Sequence, residues 1–198
     1  MDQKTLGAYD GAAAAFAEEW HEQPPPTDLQ SAVLQYFKPG RTADIGCGSG
    51  RDASWLNDHS FPAVGFDASP GLLAEARRRY PQIRFVQSSL PELEGIADSS
   101  FVNVLCETVI MHLQPERIAP SVRKLMAILE PGGTLYLIWR VTEGSDLRDA
   151  HGRLYSAFDS SIVFRALSGA NIIVDEQVTS ASSGKMIHRV IARKSDKK

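Results

Sequence analysis

The ten residues ADIGCGSGRD (43–52) place three glycines and two acids directly behind a short apolar run. A strand that ends in a glycine-rich turn and then starts a helix lets a ligand approach the backbone closely. This stretch alone fits a phosphate cradle, a nicotinamide-cofactor turn or a site for another small molecule. The position of the third glycine and the residues that follow it must separate these alternatives.

The spacing of the glycines argues against both phosphate-binding turns. A dinucleotide turn has the pattern G-x-G-x-x-G, whereas here Gly50 comes one residue early and Arg51 occupies the expected position. A P-loop ends in Gly-Lys followed by Ser or Thr, which this stretch lacks. The turn therefore favours a ligand other than a dinucleotide or a nucleotide phosphate.

Strands and helices alternate along the central part of the chain. Apolar runs predict five strands, at 41–46, 61–67, 83–86, 100–107 and 134–139. Helices are predicted between them, at 50–56, from Pro70 to about Arg79 with Ser69 as N-cap, and along an apolar stripe from Ile118 to Leu129. This alternation predicts a mostly parallel sheet with helices on both faces.

The two ends of the chain depart from this alternation. Tyr9, Ala13, Phe16 and Trp20 predict one helix over 9–20, and a second helix is predicted over 28–37. After a polar connector, a helix is predicted near 154–167 and two strands at 171–178 and 185–193. Only the turn TSASSG (179–184) joins these strands, so they must be antiparallel. The expected fold class is α/β, a doubly wound seven-stranded mostly parallel sheet with an antiparallel final strand.

Composition and charge restrict the class of protein. The chain has 198 residues and a net charge of −3, which argues mildly against a nucleic-acid partner. Two basic clusters, Arg77–Arg79 and Lys194–Lys198, are expected to be a solvated helix end and a frayed tail. No apolar run approaches the ~20 residues that a membrane span needs. Cys47 and Cys106 lie in apolar runs and are expected to be buried free thiols in a reducing cytoplasm.

Asp67 ends the second predicted strand, about 20 residues after the first glycine of the turn. A carboxylate at this place can accept hydrogen bonds from the two hydroxyls of an adenosine ribose. The alternative is that Asp67 only caps the turn before the next helix. The glycine turn upstream favours ribose binding.

Four segments together resemble the class I S-adenosylmethionine-dependent methyltransferases of the small-molecule type. They are ADIGCGSG (43–50), GFDASPGLLAEAR (65–77), FVNVLCETVIMHL (101–113) and LEPGGTLYLI (129–138). The resemblance is close over 9–139 and is architectural beyond it. It departs from the family pattern at Ser89, where the family often has an acid, and at Val102, which follows Phe101 in place of an aspartate.

The resemblance implies a Rossmann-like methyltransferase fold in one domain over 1–198. Its parts are an N-terminal helical lid (1–38), a cofactor-binding core (39–139) and a substrate-side connector, helix and terminal hairpin (140–198). The implied cofactor is S-adenosyl-L-methionine, with S-adenosyl-L-homocysteine as product. Its implied contacts are Tyr9 from the lid, Asp44, Gly46, Gly48 and Gly50 at the methionine end, Asp67 at the ribose, Ala68, Ser69, Ser88, Ser89 and Leu90 near the adenine, and Cys106 and Glu107 below the sulfonium.

Few residues are candidates for action on the substrate. His112 suits general-base chemistry by its ordinary pKa, although packing is the alternative. Arg140 follows the fifth strand, where it can hold an anionic substrate group or pair with Glu143 or Asp146. Asp52 is expected to cap the helix that starts at Gly50, with the cofactor ammonium as the alternative. No metal is expected, because His, Cys, Asp and Glu show no ligand spacing.

The implied function is methyl transfer to an O, N or S atom of a small-molecule acceptor by in-line displacement. Two alternatives stay open: a tRNA or protein methyltransferase, and a non-catalytic S-adenosylmethionine-binding regulatory protein. A nicotinamide oxidoreductase is disfavoured by Arg51. We expect a cytoplasmic monomer or weak homodimer, with no membrane partner and no nucleic-acid partner.

Overall fold

A computed structural model describes residues 1–196. Its strands are β1 (Thr42–Ile45), β2 (Ala63–Asp67), β3 (Phe85–Gln87), β4 (Phe101–Glu107), β5 (Leu129–Arg140), β6 (Leu147–Arg148), β7 (Leu154–Tyr155), β8 (Asn171–Thr179) and β9 (Met186–Arg193). Its helices are α1 (Gln3–Gly11), α2 (Ala13–Glu22), α3 (Thr27–Tyr36), α4 (Arg51–Asp58), α5 (Pro70–Arg79), α6 (Pro115–Ile128) and α7 (Ser161–Ala166). A short 3₁₀ turn follows β4 at Ile110–His112.

Seven of the strands form one sheet in the order β3-β2-β1-β4-β5-β9-β8. The pairs from β3 through to β5 are parallel, whereas β9 is antiparallel to both β5 and β8. The predicted fold class, including the antiparallel final strand, is confirmed. The strands β6 and β7 form a separate two-stranded antiparallel sheet.

The central strands are buried on both faces because successive side chains point to opposite sides of a sheet. Val104 and Leu137 pack into one apolar cluster with α6, while Leu105 and Tyr136 pack into another with α3 and α4. The apolar runs that predicted these strands are continuous for this reason.

The predicted N-terminal helix is wrong as a single element. The chain breaks at Ala12, where φ is −129°, and α1 and α2 lie on either side. Gly11 directly precedes the break, and glycine disfavours a continuous helix. Contacts on either side fix the break: Asp10 accepts a hydrogen bond from Gly71 N at 3.0 Å, and Phe16 is buried against Leu72.

The predicted helix over 154–167 is also wrong at its beginning, since α7 starts only at Ser161. Leu154 N donates to Thr5 Oγ1 at 2.8 Å, and Leu154 O accepts from His112 Nδ1. Both backbone groups are thereby satisfied by distant side chains. Leu154 and Tyr155 instead form the short strand β7.

Arg77–Arg79 form the last turn of α5, as predicted, whereas the expectation of a frayed tail is wrong for Lys194. Arg78 and Arg79 on α5 form ion pairs with Glu75 and Glu18, respectively. Lys194 is not frayed, because its Nζ donates to Leu129 O at 2.6 Å and its N donates to Gly133 O. The remaining tail residues, 197–198, lie outside the described residues. Within the part of the chain that is described, no helix is long and apolar enough to span a bilayer.

Candidate functional site

A cleft of about 420 Å³ opens at the carboxyl edge of the parallel strands, above β1 and β4. The chain leaves β1 toward β2 on one side and β4 toward β5 on the other, so the loops diverge at this point. Such a switch point in an open α/β sheet is where ligands bind. Both cysteines are free and buried.

The glycine turn after β1 lines one side of the cleft and requires glycine on steric grounds. Gly46 has φ +79°, and a Cβ there would lie 2.1 Å from Cγ2 of Val109. Gly48 has φ +53°, and a Cβ there would lie 2.8 Å from the Trp20 ring. The bare backbone of the turn therefore borders the cleft. Gly50 does not line it, since a Cβ there would meet Phe85 on the other side.

Four carboxylates border this side of the cleft: Asp44, Asp52, Asp67 and Glu107. Asp44 is only 3% exposed, and its Oδ2 has no hydrogen-bond partner. Burial raises the pKa of Asp44 well above its usual value, and Asp52 and Asp67 raise it further. Burial and the adjacent Asp52 likewise raise the pKa of Glu107. An orphaned buried carboxylate oxygen in an acidic cleft favours a cationic ligand.

Arg51 offsets part of this negative charge. Its Nε lies 3.1 Å from Oδ1 of Asp52, and its Nη1 donates to Trp20 O at 3.1 Å. Burial opposes the charge of Arg51, but Asp52 and Glu107 raise its pKa overall. The expected capping role of Asp52 is not observed, because α4 begins at Arg51 with Gly50 as its N-cap residue and has no side-chain cap.

Asp67 lies at the carboxyl end of β2 and holds the turn in shape. Its Oδ2 accepts from Gly48 N at 2.9 Å, and its Oδ1 accepts from Ser69 N at 2.8 Å. Burial raises the pKa of this carboxyl. Each carboxylate oxygen can accept more than one hydrogen bond, so both oxygens keep capacity for a ligand.

His112 and Tyr9 both line the cleft and contact each other. A backbone carbonyl accepts only, so the contact with Leu154 O places the proton of neutral His112 on Nδ1. Its Nε2 then accepts from the Tyr9 hydroxyl at 3.0 Å. Burial lowers the pKa of His112 to about 4 and raises that of Tyr9. Arg153 lies over the Tyr9 ring at 5.4 Å and pairs with Asp149 at 2.7 Å.

The opposite side of the cleft carries cations and hydroxyls. The Arg140 guanidinium lies 5.0 Å from the ring centroid of Tyr155. Its expected pairing with Glu143 or Asp146 is not observed, and the ion pairs of residues 1–196 do not include it. The turn between β8 and β9 adds further lining groups: Ser180, Ser182, Ser183 and Lys185.

The structure thus brings eight of the predicted site residues to one cleft: Tyr9, Asp44, Gly46, Gly48, Asp67, Glu107, His112 and Arg140. Ala68, Ser88 and Ser89 border a second cavity of about 190 Å³, and Met1 borders both cavities.

The other predicted residues lie outside both cavities. Leu90 and Cys106 are core residues, so the expectation that Cys106 lines the cleft is wrong. Successive side chains of a strand point to opposite faces of the sheet. Glu107 lines the cleft, and the preceding Cys106 points into the packed core. Ser69 caps α5 and also bonds to Asp10, while Gly50 faces Phe85.

The sequence interpretation missed the turn between β8 and β9. Because β9 runs antiparallel to β5, its amino end lies at the carboxyl edge, where Arg140 pairs with Ile187. The predicted antiparallel pair already contained this signal, since the turn before such a strand must lie at the ligand-binding edge. Thr108, Val109 and Met111 also line the cleft. Among residues 1–196, no three His, Cys, Asp or Glu side chains are arranged to hold a metal ion.

Residues 43–133 match the family model described as a methyltransferase domain. Trans-aconitate 2-methyltransferase of Methylobacterium nodulans is 36% identical over 130 residues, which are 64% of this chain and 48% of that protein. Malonyl-[acyl-carrier protein] O-methyltransferase of Enterobacter lignolyticus is 28% identical over 136 residues, 68% and 53% of the two chains. The chain spans about half the length of the curated relatives it matches.

A solved structure shares the fold across nearly the whole chain. It is the 1,6-didemethyltoxoflavin-N1-methyltransferase of Burkholderia thailandensis, with bound 1,6-didemethyltoxoflavin and S-adenosylhomocysteine. Its TM-score is 0.73 at 20% identity, over 98% of this chain and 88% of that chain. The resemblance drawn from the four sequence segments is confirmed: residues 43–133 match the methyltransferase-domain family, and the chain shares the Rossmann-like fold of this solved methyltransferase.

Proposed function

We propose that this protein is a methyltransferase that uses S-adenosyl-L-methionine to methylate an O, N or S atom of a small-molecule acceptor. The observation that carries the proposal is the buried, unpartnered Oδ2 of Asp44 beside the glycine turn, among three further carboxylates. S-adenosylmethionine supplies a methyl group on a positively charged sulfur and also carries a cationic ammonium. A cationic ligand relieves both the missing hydrogen bond and the repulsion between these acids.

The groups of the glycine turn have separate proposed roles. Asp44 accepts from the ammonium, and the backbone at Gly46 and Gly48 allows close approach of the methionine end. Asp67 accepts from the ribose hydroxyls. Ala68, Ser88 and Ser89 border the second cavity, and we assign that cavity to the adenine. Met1 lines both cavities, so the two are parts of one site divided by the N-terminus.

Residues 1–38 are proposed to be a lid over this site. Asp2 pairs with Arg148 at 2.8 Å on the connector, whereas Trp20 O accepts from Arg51 on the cofactor side. The N-terminal helices thus hold both sides of the cleft together. Because Met1 separates the two cavities, a cofactor that occupies both requires this segment to move.

His112 is proposed to position Tyr9 rather than to act as a general base. Its Nε2 is engaged by the Tyr9 hydroxyl, and a pKa of about 4 makes the imidazole a weak base. Methyl transfer at a sulfonium carbon mostly requires alignment of the acceptor, which a lid residue held at the centre of the cleft can supply.

A small acceptor fits the charges and the size of the cleft. Arg77 donates to Phe85 O, and Arg78 and Arg79 pair with Glu75 and Glu18, which reduces the net positive charge that this cluster offers to a nucleic acid. The relatives also include trans-aconitate 2-methyltransferase, which acts on a small acid. We infer a cytoplasmic location, because two free buried cysteines suit a reducing compartment.

Calorimetry with S-adenosylmethionine and with NADH tests the proposal. We expect S-adenosylmethionine to bind and NADH not to bind. Asp67→Asn should weaken S-adenosylmethionine binding by about tenfold or more, because it removes a charged acceptor. The exposed Asp58→Asn at the end of α4 serves as the matched control and should bind as the wild type does. Binding of NADH without S-adenosylmethionine overturns the proposal.

A further inference from the structure

The cleft is divided by charge. The glycine-turn side presents Asp44, Asp52, Asp67 and Glu107, whereas the opposite side presents Arg140 and Lys185. Arg140 and Lys185 both line the cleft, and they belong to or directly precede the neighbouring strands β5 and β9. Arg140 ends β5 and pairs in register with Ile187 of β9, and Val141 N donates to Met186 O. Lys185 directly precedes β9 and therefore lies at the same edge of the sheet.

Neither cation has a carboxylate partner among residues 1–196. The Arg140 guanidinium contacts the Tyr155 ring, and the ion pairs of the described chain include neither Arg140 nor Lys185. The other two cations of the cleft lining are already paired, Arg51 with Asp52 and Arg153 with Asp149. The only acid that α2 contributes to the cleft lining of the described chain is the exposed Glu19.

Hydroxyl groups lie beside these cations. Ser180 is 7% exposed and lines the cleft, and its Oγ lies 3.2 Å from Oγ of Ser182. Ser180 N donates to Lys185 O at 2.9 Å, so the turn holds the lysine next to the serines. An arginine, a lysine and hydroxyl donors at one end of a cleft form a recognition site for a carboxylate.

Two potential bases on this side of the cleft, His112 and Tyr155, are already engaged by other side chains. His112 is neutral and engaged with Tyr9, and Tyr155 lies under Arg140. An alcohol, phenol or ammonium acceptor must lose a proton in order to react, whereas a carboxylate is already ionised at neutral pH. The Arg140 side of the cleft thus has the groups that bind a carboxylate, and a carboxylate acceptor reacts without a general base.

We propose that the methyl acceptor is a small carboxylic acid, held by Arg140 and Lys185 and methylated on a carboxylate oxygen to give an ester; this rests on the proposed methyltransferase function. A carboxylate oxygen forms the bond to the methyl carbon, the carbon–sulfur bond breaks, and its electron pair stays on sulfur. Sulfonium and carboxylate become thioether and ester, and no proton is transferred. The ester lacks the negative charge of the acid at that group, so its attraction to the two cations falls and its release is favoured.

The test uses the full chain and a fixed panel of probes. The acids are malonate, trans-aconitate and benzoate, and the matched non-acids are malonamide, catechol and benzylamine. S-adenosylhomocysteine formation is measured together with methanol released from the product by alkali. An ester gives methanol under these conditions, whereas an aryl ether or an N-methyl amine does not. We expect turnover with at least one acid and an alkali-labile product.

A second measurement is independent of turnover. Calorimetry records binding of the same acids to the protein saturated with S-adenosylhomocysteine. Arg140→Gln and Lys185→Gln should each raise the dissociation constant and the KM for the acid by about tenfold, with S-adenosylmethionine affinity unchanged. Arg140→Lys should restore part of the loss. Arg123→Gln, on the exposed face of α6, is the matched control and should have no effect.

Three outcomes overturn the inference. One is an alkali-stable methylated product from catechol or benzylamine without methylation of the acids. Another is acid binding or methylation that survives both Arg140→Gln and Lys185→Gln. The third is a panel in which no acid binds and none is methylated. In each case, S-adenosylmethionine binding by the wild type keeps the proposed function intact, and its absence removes both.

Discussion

The two sides of the cleft carry opposite charges and hold them in different ways. On the glycine-turn side, Asp44 is buried and Glu107 is half-buried, and the pKa values of both carboxyls are raised. On the opposite side, Lys185 is exposed and Arg140 is half-buried against an aromatic ring. Burying charge without a partner costs stability, whereas an exposed cation costs little. We therefore expect the acidic side to lower the stability of the ligand-free protein, because its charges are desolvated, and the basic side to have little effect.

The largest expected effect comes from the backbone of the acidic side. Gly46→Ala places a Cβ within 2.1 Å of Val109 at φ +79°, so strain and overlap add. We expect a loss of about 4 kcal/mol in the free energy of unfolding, measured by urea denaturation. Gly144→Ala in the connector of the basic side has a similar φ of +75° and open space around it. It should cost about 1 kcal/mol, and equal losses at the two positions contradict the steric account of the turn.

The lowered pKa of buried His112 predicts that the free energy of unfolding falls as the pH is lowered. The unfolded chain binds a proton on this histidine near pH 6.5, whereas burial lowers the pKa of the folded state to about 4. The stability that neutral His112 contributes is therefore present above pH 6.5 and is lost as the pH falls toward 4. The loss should be about 3 kcal/mol.

The measurement is urea denaturation of the wild type and of His112→Asn at several pH values. Asparagine has an amide donor and does not titrate, so the difference between the two curves isolates the histidine. Parallel curves from pH 7 to 4 would show that this imidazole titrates alike in both states.

Removing one charge from each side tests the comparison directly. Asp44→Asn should weaken S-adenosylmethionine binding by about 2 kcal/mol and yet raise the melting temperature of the ligand-free protein. The sign follows from the raised pKa, since ionisation of Asp44 costs stability at any pH above the unfolded value near 4. Lys185→Gln should leave the melting temperature within the error expected of a surface change. A lower melting temperature for Asp44→Asn contradicts the proposed cost of the acidic side.

The smallest effect is expected at the contact between the lid and the basic side. Arg148 and Asp2 form an ion pair at 2.8 Å with side-chain exposures of 37% and 10%. Arg148→Gln should leave the urea midpoint unchanged within error, because exposed ion pairs contribute little to stability. It should also increase cleavage within α1 under limited proteolysis, because this contact holds the lid to the connector. Arg165→Gln, exposed on α7, is the control, and equal cleavage of the two variants argues against a lid held by Arg148.

The pattern of neighbouring residues in the sequence was sufficient to predict most strands and the start of α5 on the cofactor side of the fold. Continuous apolar runs predicted β1, β2, β4 and β5 within a few residues, although β5 begins earlier than expected. Ser69 and Pro70 predicted the start of α5, where Ser69 Oγ accepts from Leu72 N. These features depend on neighbours in sequence, such as the capping residue or the alternation along a strand. The same locality places Asp44 and the glycines at the carboxyl edge.

Local pattern failed where distant groups satisfy the backbone. The backbone N–H and C=O of Leu154 form hydrogen bonds with Thr5 and His112, which are both far away in sequence. Leu154 therefore forms β7 instead of the predicted helix. Cys106 is adjacent to Glu107, yet it points into the core layer. Burial of that kind depends on the register between β4 and its neighbours, which a single strand does not reveal.

The sequence by itself determined the alternation of strands and helices, the antiparallel end of the sheet and the glycine turn at its ligand-binding edge. Each of these follows from short-range sterics and from periodicities of two or 3.6 residues. The tertiary structure decided which side chains share the cleft: Arg140 with Lys185, Tyr9 with His112, and Asp44 with the other acids. The reason is that antiparallel pairing and lid docking join residues far apart in the chain, and only the packed fold sets these distances.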